Sequence, residues 1–250
     1  ALLAVAGSGM QEARSFRRAD LPQELPQQHT SIGPSEHRVL RALKDHTAPI
    51  LHSIRSTIGT AFHLGRAALV EQTLAELESA RVVMIVGPAG SGKSAVGKDA
   101  ILLLSADHFA FAFRAEEFAQ PHFDATLHAG RIPASGKTLG AILAGQDRKV
   151  VLVESVERLL EKTTRDAFSD LMALAAADRS LRVILTCRDY WTEQVRASFL
   201  RSASIQHAVV TIPPLADGEL TDVEAALPTL RYPLNNPTLR DILRNPYFLN

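Results

Sequence analysis

The chain has 250 residues, 46% hydrophobic and 22% charged, the ordinary make-up of a globular protein long enough to bury a core without staples. Basic and acidic residues balance at 27 each, so no global field draws it onto nucleic acid or anionic lipid. A single cysteine, Cys187, excludes an intrachain disulfide and fits a reducing cytoplasm. No Cys/His cluster has zinc spacing, and no apolar run approaches the roughly 18 residues of a membrane helix.

Residues 1–35 are rich in Gln, Pro, Ser and Arg, as in Leu21-Pro22-Gln23-Glu24-Leu25-Pro26, and read as a linker or arm. Their apolar start, Ala1 to Ala6, lacks a basic flank and is too short for a signal peptide. Over 36–58, Val39, Leu40, Leu43, Ile50, Leu51 and Ile54 recur at helical spacing, and Pro49 is expected to kink or split that helix. Ala67–Ser79 repeats the pattern through Leu69, Val70, Leu74 and Leu77. At Arg81 the texture changes. Val82-Val83-Met84-Ile85-Val86 is a continuous apolar run, as in a parallel strand buried on both faces. A tight loop, Gly87 to Gly92, leads into a helix predicted over 94–104. Further strands are predicted over 108–113, 150–153, 181–186 and 208–212, with helices over 138–144, 164–177 and 192–200 between them. This alternation predicts an α/β fold with a parallel five-stranded sheet flanked by helices. The tail from Asp217 reads as all helical, interrupted at Pro228, Pro233, Pro237 and Pro246. The expected organisation is a linker and helical arm over 1–59, a nucleotide-binding domain over 60–213, and the start of a helical, lid-like domain over 214–250. With no initiator methionine and an end just after an apolar stretch, the chain reads as part of a longer protein.

Gly87-Pro88-Ala89-Gly90-Ser91-Gly92-Lys93-Ser94 fits G-x-x-x-x-G-K-[ST] at every fixed position. The chemistry demands that pattern. A polyphosphate must be surrounded by donors at close range, so the loop needs glycines that turn sharply and approach the anion. The helix that follows points its free N–H groups, including that of Ala95, and its positive end at the phosphates. Lys93 supplies mobile charge to the β- and γ-phosphates, and the Ser94 hydroxyl is the expected magnesium ligand. Glu154 closes the strand Lys149-Val150-Val151-Leu152-Val153, where a P-loop enzyme places a metal-holding acid; Glu157, three residues on, is the second candidate. Leu181-Arg182-Val183-Ile184-Leu185-Thr186-Cys187-Arg188 ends in polar residues at the carboxyl side of the sheet, where ligands sit. Arg188 is therefore expected to sense a γ-phosphate, with pairing to a local acid as the alternative. No guanine-reading N-K-x-D sequence is present, which favours ATP.

Together these pieces resemble the STAND class of P-loop ATPases, relatives of AAA+ proteins that include NACHT and NB-ARC switches. His63-Leu64-Gly65-Arg66 resembles the "GR" motif near the adenine. Gly87 to Ser94 is the Walker A loop, and Val150 to Glu154, continuing through Glu157, resembles Walker B. Leu185-Thr186-Cys187-Arg188-Asp189 resembles the sensor strand. Leu243-Arg244-Asn245-Pro246-Tyr247-Phe248-Leu249 resembles the helical-domain segment whose proline packs on adenine. The resemblance implies ATP and magnesium as cofactors. It also implies nucleotide contacts from Arg66 and Pro246, self-association through the NTPase module, and an effector and a sensed ligand outside this chain. Bacterial members often serve in anti-phage defence. Glu154 stands where the family usually has Asp, which bears on hydrolysis more than on binding. The alternatives are an AAA+ motor or nucleic-acid loader, which the lack of Lys/Arg runs disfavours; a small-molecule kinase, which would want an arginine-rich lid where Asp217, Glu219, Asp222 and Glu224 stand; and a nucleotide-stabilised structural module.

Overall fold

The computed structural model describes residues 33–59, 62–201 and 204–249. Most of the expected linker therefore lies outside the described residues. The chain forms two compact units, Ala1–His37 and Arg38–Asn250. In the first, Gly33 N donates to the Glu36 carboxylate at the start of helix α1, Pro34–Ser53. In the second, α1 buries Val39, Leu40, Leu43, Thr47 and Ile50 along one stripe. The helix runs through Pro49 where a kink or split was expected. The proline removes one backbone bond, and burial of Ile50 and Ile54 in the core shared with the sheet outweighs that loss.

The helix predicted over 36–58 stops at Ser53. Thr57–Ile58 (β1) and Phe62–His63 (β2) instead pair antiparallel. Helix α2, Ala67–Ser79, leads to β3, Val82–Gly87, buried at every position. Next come α3, Lys93–Leu104, β4, Phe109–Arg114, and two short helices, α4, Phe123–Ala129, and α5, Gly136–Ala144. Then follow β5, Lys149–Glu154, a 3-10 turn, Val156–Glu161, and α6, Asp166–Ala177. Strand β6, Leu181–Arg188, is followed by α7, Thr192–Val195, which runs into a π turn, Arg196–Leu200, before β7, His207–Thr211. The C-terminal segment holds α8, Asp217–Ala226, α9, Arg231–Asn235, α10, Pro237–Leu243, and a 3-10 turn, Pro246–Leu249. Among the described residues no helix is long and apolar enough to cross a membrane.

The five long strands form one parallel sheet in the order β4-β5-β6-β3-β7. Edge strand β4 is covered by α1: the Thr47 hydroxyl accepts from Ala112 N at 2.9 Å while donating to Leu43 O. That contact caps a ladder group the edge would expose. A chain of aromatic contacts through Phe111, Phe113, Phe118, Phe168 and Phe199 fills the core on its own side. A separate cluster joins Ile58 to Leu215, Leu220, Val223, Leu234, Leu243 and Leu249, with Phe62 and Leu64 packed against it. The ribbon β1–β2 thus shares its core with the C-terminal helices.

Candidate functional site

Strand β3 ends at Gly87 and α3 begins at Lys93, so the loop between them makes the sharp turn the motif requires. Gly90 and Gly92 hold φ of +76° and +95°, a region that disfavours side chains. At Gly90 space forbids one as well, since an added Cβ would lie 2.4 Å from Tyr247 Cβ. Lys93 Nζ folds back to donate to Gly87 O at 2.9 Å and Pro88 O at 2.6 Å.

Strand order sets what faces the loop. β6 lies between the loop strand β3 and the acid strand β5, with Arg188 in register opposite Gly87. Glu154 ends β5 half-buried, opposite Arg114. Ser155 then takes a left-handed conformation, φ +60°, and its N–H donates to Thr186 Oγ1 at 2.8 Å. This bond ties the turn after β5 to β6, and the 3-10 turn carries Glu157 back into the protein. Glu157 is 5% exposed, with Oε1 3.4 Å from Arg188 Nε and Oε2 buried without a hydrogen-bond partner. Arg188 Nη1 also donates to Tyr190 Oη at 2.9 Å. Burial pushes the Glu157 carboxyl above the usual carboxylate range, against the opposing pull of Lys93 and Arg188. Burial likewise lowers the Lys93 ammonium; Glu157 opposes that shift and Arg188 adds to it. Lys93, Glu157 and Arg188 are therefore one electrostatic cluster. Cys187 beside them is buried, and burial followed by the Glu157 charge pushes its thiol up to about 12, away from the thiolate form that a nucleophile needs.

Lys93 also lines a cavity of about 700 Å³, with Gly90 to Val96, Arg66, Pro246 and Phe248 among others. Its size suits a nucleotide-sized ligand. Arg66 is 7% exposed; its Nε donates to Glu219 Oε1 at 3.1 Å and its Nη1 to Ser91 O at 3.4 Å and Pro213 O at 3.0 Å. Its Nη2 is buried without a partner, a donor unmatched by any protein acceptor. Asn245 Nδ2 donates to Ala89 O at 2.8 Å, fastening the C-terminal segment to the loop. That segment is braced by Arg244, which donates to Leu215 O and pairs with Asp217.

The sequence-predicted residues thus fall into two groups that meet at Lys93. Arg66, Pro246 and the loop from Gly90 to Ala95 line the cavity, with Gly87, Pro88 and Ala89 forming the start of the same loop. Glu157 and Arg188 pair with each other and are not among the residues lining the cavity, and Glu154 ends the neighbouring strand. The donor set of Ser94 hydroxyl and carboxylates is hard oxygen, which suits magnesium. Sequence reasoning missed Glu219 and Asn245 as contacts of the site. Asn245 lay inside a quoted motif, but Glu219 is 153 residues from Arg66 and nothing in its local spacing marks it.

A family model described as novel STAND NTPase 1 matches residues 57–228. No curated protein matches the chain. Among solved structures, a Walker-type ATPase of Pyrococcus abyssi superposes with a TM-score of 0.53 at 14% identity, over 80% of this chain and 69% of that one. The ADP form of the Aeropyrum pernix ORC2 protein gives 0.50 at 16% identity, over 69% and 54%. The Aeropyrum pernix ORC1 protein in complex with DNA gives 0.50 at 13% identity, over 71% and 52%. The chain spans about half the length of the two Aeropyrum proteins, and at these identities the likeness is one of fold.

Proposed function

The chain belongs to the novel STAND NTPase 1 family, and from that premise we propose that it is an ATP-binding, slowly ATP-hydrolysing switch module of a larger protein. The observation that carries this reading is the double attachment of the phosphate loop to the C-terminal segment. Arg66 joins Ser91 O to Glu219, and Asn245 joins Ala89 O to the turn bearing Pro246. Whatever the loop holds is thereby coupled to the helices that follow the sheet.

In this reading the loop N–H groups and the α3 N-terminus cradle the phosphates, and Lys93 turns from the Gly87 and Pro88 carbonyls to the β- and γ-phosphates. Ser94 and Glu154 would hold magnesium, which would neutralise phosphate charge. Glu157 accepts a proton from the attacking water as the water oxygen bonds to the γ-phosphorus and the bond to the β–γ bridging oxygen breaks. Arg188, next to Glu157 and half-buried, donates to the γ-phosphate, so it distinguishes triphosphate from diphosphate. Self-association through the NTPase module on ligand sensing, and service in anti-phage defence, extend the same proposal from the STAND resemblance.

Calorimetry with ATP and magnesium tests the reading. Lys93→Ala is expected to weaken binding by roughly 2–3 kcal/mol, the worth of a charged hydrogen-bond network. Equal affinity in wild type and variant would sink it. Hydrolysis stimulated by DNA would move the assignment to a nucleic-acid-loading ATPase.

A further inference from the structure

Lys93, Val96 and Asp99 line the same cavity at three-residue spacing, so they lie on one face of α3. Lys93 stands at the phosphate end. Asp99 is six residues on, about 9 Å along the helix axis at 1.5 Å per residue. A carboxylate there is beyond the phosphates, which it would repel, and level with the nucleoside. Apolar Ile58 and Leu64 line the same cavity, as flat-ring packing requires, and offer no side-chain hydrogen bond. Asp99 is only a quarter exposed, and His63 Nε2 on β2 holds its Oδ2 at 3.3 Å. The pair fixes the carboxylate and leaves its other oxygen to accept.

We propose that Asp99, positioned by His63, reads the nucleoside alongside the other residues of the cavity, by accepting a hydrogen bond from an N–H or O–H donor that the phosphates do not provide. This rests on the nucleotide reading above and adds a specificity determinant to it. Two parts of the nucleoside supply such a donor, the 6-amino group of adenine and the ribose 2′- and 3′-hydroxyls, and two analogues separate them. Purine riboside triphosphate lacks the first and 2′,3′-dideoxyATP lacks the second.

The test is calorimetric affinity of the full chain for ATP and both analogues, with magnesium. In the wild type one analogue is expected to bind about ten-fold or more weakly than ATP, the effect of losing a hydrogen bond to a charged group. In Asp99→Ala that gap closes while ATP still binds. Asp99→Asn keeps the shape and a carbonyl oxygen but not the charge, so it answers the question if the alanine variant does not fold; there the gap shrinks to a few-fold. In His63→Ala, which frees the carboxylate, the gap narrows without vanishing. An unchanged gap in Asp99→Ala or Asp99→Asn, or wild-type affinities equal for all three nucleotides, overturns the inference alone. A wild type that binds none of the three overturns the nucleotide reading and this inference with it.

Discussion

Glu157 is the residue at which stability and chemistry pull against each other. Burial raises its folded carboxyl above the unfolded value, so the fold prefers the protonated form. The stability gained from that proton is present in full below the unfolded carboxylate range and is lost as pH rises through the folded value. At neutral pH the ionised group therefore weakens the fold, and Glu157→Gln, which cannot ionise, should raise the melting temperature. That gain should shrink on acidification; a melting temperature lowered at neutral pH would refute the placement. The same substitution should leave ATP affinity intact and slow turnover by about 10²–10⁴-fold, the range of general-base catalysis. Arg188→Ala makes a different prediction. A ligand shifts an equilibrium only by its differential affinity, so the ATP-over-ADP preference should narrow while ADP binding holds. Loss of ADP binding instead would make Arg188 a structural partner of Glu157.

At the scale of elements, the join between the phosphate loop and the C-terminal segment is the vulnerable point. Arg66→Ala leaves Glu219 without its buried partner and two carbonyls without a donor. Because Glu219 is itself partly exposed, the loss should be about 2–3 kcal/mol, below the ~3–5 kcal/mol of a fully buried pair. Gly90→Ala should act on the same join by sterics, driving Tyr247 and Asn245 off the loop. Limited proteolysis should then cut the 244–249 stretch faster than in the wild type; an unchanged cleavage rate would show that the segment is held elsewhere. The elements themselves were unevenly legible. The strands stood out because a parallel strand covered on both faces must be continuously apolar, as β3 and β5 are. Helix α4 did not, since seven residues, Phe123–Ala129, carry too few turns for a period to register, and its cap is His122 rather than a common capping residue. The helix predicted over 36–58 runs over β1, and β2 goes unassigned, because two-residue strands leave no alternation to read. Pro49 misled in the other direction: a local rule was overruled by core packing. The P-loop was legible outright because its function fixes four positions at set spacing within eight residues. The Arg66–Glu219 pair was not, because only the fold brings its halves together.

For the whole molecule, a ligand that binds only the folded state stabilises it by mass action. ATP at a hundred times its dissociation constant should add about 2.7 kcal/mol. For a domain of this size that raises the melting temperature by roughly 5–10 °C, and Lys93→Ala should abolish most of the shift. The chain should also be mostly monomeric in light scattering with either nucleotide; a nucleotide-dependent oligomer would place the assembly trigger within these residues. The strand order has a further consequence, for synthesis. β3 is the first of the five long strands to be made, yet its two neighbours, β6 and β7, are the last. While the ribosome works through the intervening residues, the strand that carries the phosphate loop has both edges open, and an apolar strand with open edges recruits other chains. Nascent chains halted before Leu181 should therefore aggregate or be held by chaperones, however sound the loop sequence already in place, and solubility should return only once Thr211 has cleared the exit tunnel.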